Sequence, residues 1–264
     1  MRVALAYPAF YGAFKEVYPE LDVMKLSKNN VTDFDLIIFS GGEDINPAIY
    51  GGNTQDVYGY NEERDKIELT ILDRALTKKV KVLGVCRGHQ LINAYMGTKL
   101  VQDIYTKFKK SHEGRHSLNY HSELSLIKYI LQGEEVNSMH HQGFEPGGCR
   151  LTITSTYENI VESCEHPDII TTQFHPEFFE EKKSIRFFEN INRWVRSRQD
   201  LEREIMESFG RNIPTSMPNI SRSGRAKKNP YSFSPTTTWN TLSDIDIFRH
   251  EAVPPEQQTD LDNN

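Results

Sequence analysis

A chain that carries Val82-Leu83-Gly84-Val85-Cys86-Arg87-Gly88-His89-Gln90-Leu91-Ile92-Asn93-Ala94 has few ways to fold around that stretch. Branched apolar residues ahead of a glycine predict a short buried strand over 81–85, and the run over 90–96, closed by Gly97, predicts a helix. Cys86 then stands at a strand-to-helix corner. Gly84 and Gly88, two residues to either side, are expected to let the backbone turn sharply and push the central side chain out above the sheet edge. A thiol placed there also feels the unpaired N–H groups and positive dipole end of the following helix, which favour thiolate, the reactive form.

A cysteine nucleophile needs a base and a group to orient that base. Thr171-Thr172-Gln173-Phe174-His175-Pro176-Glu177 offers both. Pro176 disfavours the helical region for His175, so the segment is expected to be extended, with residues two apart on one side. Glu177 then reaches the His175 ring. A carboxylate on one imidazole nitrogen fixes the tautomer that leaves the other free to take the thiol proton.

Gly84-Val85-Cys86-Arg87-Gly88-His89-Gln90 together with Gln173-Phe174-His175-Pro176-Glu177 resembles the class I glutamine amidotransferase superfamily. More narrowly, Gly41-Gly42-Glu43-Asp44-Ile45-Asn46-Pro47 with Tyr50-Gly51, then Arg64-Asp65, and Val136-Asn137-Ser138-Met139-His140-His141-Gln142 are similar to its gamma-glutamyl hydrolase branch. The resemblance runs over about residues 1–197 as four separated motifs in the right order. It implies a flavodoxin-like α/β domain, an open and mostly parallel sheet with helices on both faces, and a Cys86-His175-Glu177 triad. It further implies an oxyanion hole from the backbone N–H groups of Gly42 and Arg87, and substrate contacts from Gln90, His141 and Arg64.

The 264 residues suffice for one large α/β domain plus an appendage. The expected layout is a catalytic domain over 1–198, the end of a terminal helix over 199–209 and a mostly disordered tail over 210–264, where Ser, Thr, Pro and Asn crowd out apolar residues. A formal net charge of −6 gives no electrostatic reason to expect nucleic acid or an anionic membrane as partner. Cys86, Cys149 and Cys164 lack disulfide-framework density, which fits a reducing, cytoplasmic setting, and no run approaches membrane-span length.

Strands are expected at 2–7, 22–26, 35–39, 151–155, 160–164 and 169–174, and helices at 63–76, with Ile67, Ile71, Leu72 and Leu76 on the buried face, and from 178 to 205. Residues 120–130 mix strand and helix signals. Residues 44–60 read as a long loop beside the site. Arg64 and Asp65 open the 63–76 helix, either positioning that loop over the substrate or merely capping the helix. Lys107, Lys109, Lys110, His112, Arg115 and His116 read as a solvated basic loop. His140 and His141 are a histidine pair that no carboxylate or cysteine at ligand spacing completes, so neither a metal nor another cofactor is expected. Three functions compete. The chain is a free-standing cysteine hydrolase of a small gamma-glutamyl amide, the glutaminase half of an amidotransferase serving a synthetase partner, or a silent binding protein, which the intact triad disfavours.

Overall fold

The computed structural model describes residues 1–21 and 26–196, so all but the last residue of the strand expected over 22–26, the helix end expected over 199–209 and the tail expected over 210–264 lie outside the described residues. In chain order the regular elements are β1 Val3–Leu5, α1 Tyr11–Val17, β2 Leu36–Phe39, α2 Glu62–Thr77, β3 Lys81–Val85, α3 Arg87–Tyr95, α4 Ile104–Phe108, β4 Gly114–His116 and β5 Asn119–Tyr120. There follow α5 Leu126–Leu131, β6 Val136–Ser138, β7 Thr152–Tyr157, β8 Ile160–His166, β9 Ile169–Thr172 and α6 Glu181–Arg196. Seven strands form one sheet in the order β1-β2-β3-β9-β8-β7-β5, and β4 pairs with β6 in a separate antiparallel ribbon. Strands β1, β2, β3 and β9 run parallel. Strands β8, β7 and β5 continue the sheet antiparallel.

Both faces of the parallel strands are apolar because both are covered, as parallel sheets require. Leu36, Ile38, Leu83 and Val85 face one way, onto Phe14 of α1, Ile127 of α5 and Phe188 and Trp194 of α6. Ile37, Phe39 and Val82 face the other way, onto Ile71 and Leu72 of α2 and Leu91 and Ile92 of α3. Each such side chain contributes about 1.5–3 kcal/mol when fully buried. The helix over 62–77 departs from its apolar expectation in one respect: Ile67 is exposed, while Arg64, Asp65 and Glu68 are buried. Charge, not aliphatic surface, fills the first two turns of its inner face, because Arg87 of α3 lies opposite. No helix among the described residues is long and apolar enough to cross a membrane.

Candidate active site

The corner between β3 and α3 is as tight as the sequence suggests, but the turn is made by the cysteine itself. Cys86 sits at φ 50 and ψ −104, a conformation that costs an L-residue about 1–3 kcal/mol. The glycines serve close approach instead. A Cβ on Gly88 would fall inside contact distance of the Phe39 carbonyl oxygen, so only glycine lets α3 lie against the end of β2. Cys86 is thereby held at the N-terminus of α3, with Arg87 opening the helix; its N–H has no carbonyl four residues earlier within the helix to accept it.

β9 lies directly beside β3, which carries His175 to the same sheet edge as Cys86. The chain does not stay extended there. His175 has φ −105 and ψ 90, and Pro176–Phe178 then form a turn of 3₁₀ helix. Within that turn Glu177 folds back, and its Oε1 lies 2.8 Å from Nδ1 of His175. Both side chains are buried. The ring's Nε2 is left for the sulfur. Burial alone would push the His175 imidazolium down, but charge on the Cys86 sulfur and hydrogen bonds to Cys86 and Glu177 outweigh it, raising the pKa to about 10.

The ring is fixed from outside the main sheet as well. Asn137 of β6 accepts from the His175 backbone N–H at 2.8 Å and donates to its carbonyl at 2.8 Å. Phe10 packs edge-on to the imidazole, with ring centroids 5.8 Å apart, and Gly41 leaves room for it, since a Cβ there would come within 2.6 Å of Cε1. The raised pKa has a consequence for stability. The ring's ordinary value is 6.5, so the contribution of the charged pair is fully present below about pH 6.5 and is lost as pH rises through about 10. Urea unfolding across that window should bring wild type and His175→Gln progressively closer. A stability gap independent of pH would mean that the folded protein does not hold this ring charged.

Gly42 has φ 146, and a Cβ on it would collide with Arg64. Arg64 has no exposed surface: its guanidinium donates to the carbonyls of Gly41 at 2.9 Å and Ser40 at 3.3 Å, and to Glu43 and Glu68. The substrate contact expected of Arg64 therefore gives way to a positioning role on the Ser40–Gly42 backbone. Of the two roles open to Asp65, it takes up contact with the preceding loop, while the helix cap falls to Asn61. Asp65 Oδ2 accepts from the Asn46 N–H at 3.0 Å while Oδ1 pairs with Arg87. Burial pushes the Asp65 pKa up despite the adjacent Arg87.

Gln90 is buried. Its Nε2 donates to the Gln142 carbonyl at 2.9 Å and to Oε1 of Gln173 at 3.3 Å, and Gln173 Nε2 lies 3.8 Å from the Cys86 sulfur. His141 lies in the wall of a cleft of about 470 Å³, together with Gly42, Asp44, Tyr58 and Tyr60. It stacks on Tyr58 at 4.1 Å between centroids, and its Nε2 lies 3.0 Å from Asp44. The loop over 44–60 thus flanks the site, as its composition suggests.

Two expectations fail together. His112 and His116 are not on a solvated loop but buried, because β4 pairs with β6 and turns them inward. The carboxylate missing from the neighbourhood of His140 is Glu162 of β8, fully buried, with His112 at 2.8 Å and His140 at 3.9 Å from its Oε1. Neither was legible from spacing, since the partners stand on different strands.

A parallel strand ending at a cysteine corner, with a histidine at the end of the adjacent strand, is the layout of the class I glutamine amidotransferase-like superfamily. Within it the chain belongs to the Peptidase C26 family, whose model matches residues 13–177. The chain is 32% identical over 193 residues to the glutamine amidotransferase-like protein YvdE of Lactococcus lactis, covering 67% of this chain and 82% of that one. It is 28% identical over 186 residues to a glutamine-hydrolysing GMP synthase subunit of Saccharolobus solfataricus, covering 69% of this chain and 86% of the relative. The glutaminase domain of Trypanosoma brucei CTPS shares the fold, with a TM-score of 0.52 at 13% identity over 73% of this chain and 94% of that domain. The chain is of the hydrolase or amidotransferase type.

Proposed function

We propose that the chain hydrolyses a gamma-glutamyl amide through a thioester on Cys86. The observation that carries this reading is the contact of His175 Nδ1 with Glu177 at 2.8 Å while the same ring also hydrogen-bonds Cys86. The Cys86 thiolate attacks the amide carbonyl carbon, and the carbonyl oxygen takes up the negative charge. Protonated His175 then gives its Nε2 proton to the departing amine as the C–N bond breaks. Water attacks the resulting thioester with His175 accepting its proton, which releases glutamate and restores the sulfur. Glu177 keeps Nδ1–H oriented and offsets the imidazolium charge.

The oxyanion is assigned to the N–H groups of Gly42 and Arg87. Arg64 holds the Gly41 carbonyl at 2.9 Å, and a trans peptide directs the following N–H the opposite way, away from the guanidinium. Such a donor contributes about 3–4 kcal/mol to transition-state stabilisation. Gln90 acts through Gln173, and His141, in the wall of the cleft, meets the substrate.

Cytoplasmic glutamine hydrolysis for a synthetase partner is the second reading, and the similarity to a GMP synthase subunit favours it. The cleft beside Gly42 favours the first, because it gives a leaving group larger than ammonia somewhere to lie. Assays of purified protein against glutamine and a panel of gamma-glutamyl amines and peptides separate the two. Turnover of the larger amides well above that of glutamine is expected. Activity confined to glutamine, rising only when a synthetase is added, would select the second reading.

A further inference from the structure

Four side chains from around β4, β6 and β8 converge in a place that the proposed chemistry does not use. His112 precedes β4, His116 ends it, His140 follows β6 and Glu162 lies in β8. All four are buried, Glu162 completely. Their rings form a box: His112 lies 5.1 Å from His116 and 4.9 Å from His140 between centroids, and Tyr157 closes one side, stacked on His116 at 3.9 Å. Glu162 projects into it.

Hydrogen bonding accounts for only part of this arrangement. His112 Nε2 meets Glu162 Oε1 at 2.8 Å. His116 Nε2, His140 Nε2 and Glu162 Oε2, all buried, have no hydrogen-bond partner among the described residues, although His116 Nε2 and Glu162 Oε2 lie 3.5 Å apart. Buried polar atoms left bare in this way are costly, which a bound ion would relieve. His140 also has the outer contact typical of a metal-bound imidazole, because its Nδ1 lies 2.8 Å from the Gln142 carbonyl, which fixes the proton on Nδ1 and points a bare Nε2 inward.

We infer that His112, His140 and Glu162 bind a divalent first-row metal ion, zinc by preference, with His116 closing the fourth position. The ligand atoms of the first three all lie within 4.8 Å of one another. The spacings of His112 and His140 to Glu162 Oε1, 2.8 and 3.9 Å, bracket the separation of about 3.3 Å between donors of a tetrahedral zinc, and His116 Nε2 stands 3.5 Å from the other oxygen, Oε2. Three imidazoles and one carboxylate suit zinc among the available ions. A closed, buried set of four marks the ion as structural, not catalytic. It would pin the β4–β6 ribbon to β8 and hold the 140–142 backbone that receives Gln90.

The test uses the full chain, purified without a metal-affinity tag, as wild type and as Cys86→Ser, which removes the sulfur beside the active-site histidine. Elemental analysis after exposure to Zn²⁺ should give about one tightly held equivalent in both proteins. Chelation should lower the melting temperature reversibly, and Co²⁺ should replace zinc with the visible absorption of a tetrahedral site. His140→Ala and Glu162→Gln should lose most of the bound metal, with circular dichroism to confirm folding. If neither variant folds, X-ray absorption of the wild-type zinc protein still decides, by showing nitrogen and oxygen donors at about 2.0–2.1 Å or not. Folded wild type that takes up neither Zn²⁺ nor Co²⁺ would overturn the site, leaving the box to a buried water. So would full occupancy in folded His140→Ala, sulfur in the coordination shell, or loss of the metal in Cys86→Ser.

Discussion

Cys86→Ala is expected to lower kcat/KM for a gamma-glutamyl amide by about 10⁴ to 10⁶-fold, the range over which removal of a nucleophile acting with its base reduces turnover. His175→Ala should fall in the same range, and the double variant should be little worse than either single one, because sulfur and imidazole act as one unit. The corner adds a second readout. With φ at 50, position 86 suits glycine better than any residue with a Cβ, so Cys86→Gly should unfold at a higher denaturant concentration than Cys86→Ala while being equally inactive. Alanine-variant turnover within about tenfold of wild type would remove the sulfur from the mechanism.

The second large effect is on stability. Glu68 is fully buried between two guanidinium groups, receiving Arg64 Nε at 3.2 Å and pairing through its other oxygen with Arg87. Deleting one partner of a buried ion pair costs about 3–5 kcal/mol because the remaining charge is left without compensation in a poorly solvating interior. Glu68→Ala should therefore lose stability on that scale in urea unfolding at neutral pH. Ile67→Ala, one residue away on the exposed side of α2, should change it by no more than about 0.5 kcal/mol. If the two substitutions prove equal, the charged cluster is not what fastens α2 to α3.

That pair of neighbours also marks where the sequence can be read and where it cannot. The corner at Cys86 was legible because glycine spacing, a branched strand and a helix start agree over a dozen consecutive residues, and the His175–Glu177 contact because its partners are two positions apart. The expectation for α2 failed at Ile67 and Glu68, since an isoleucine and a glutamate differ in hydropathy while burial depends on what lies opposite. Arg87, on another helix, is what makes Glu68 an interior residue. Glu162 is hidden for the same reason. Its histidines come from the β4–β6 ribbon, and nothing in a local window announces that β8 passes beneath them. Asn137 stands in the sequence only as one residue of the Val136–Gln142 motif, yet its amide holds the His175 backbone.

β6 is three residues long, and consecutive positions on it answer to different parts of the molecule. Asn137 grips the peptide of His175, while Ser138 Oγ donates to the carbonyl of His112. Side chains on a strand alternate, so sliding this ribbon by a single residue would take both side chains from their partners. A one-residue insertion or deletion ahead of Val136 would therefore reach the base from a distance, turning Asn137 away from the His175 peptide and Val136 out of the core.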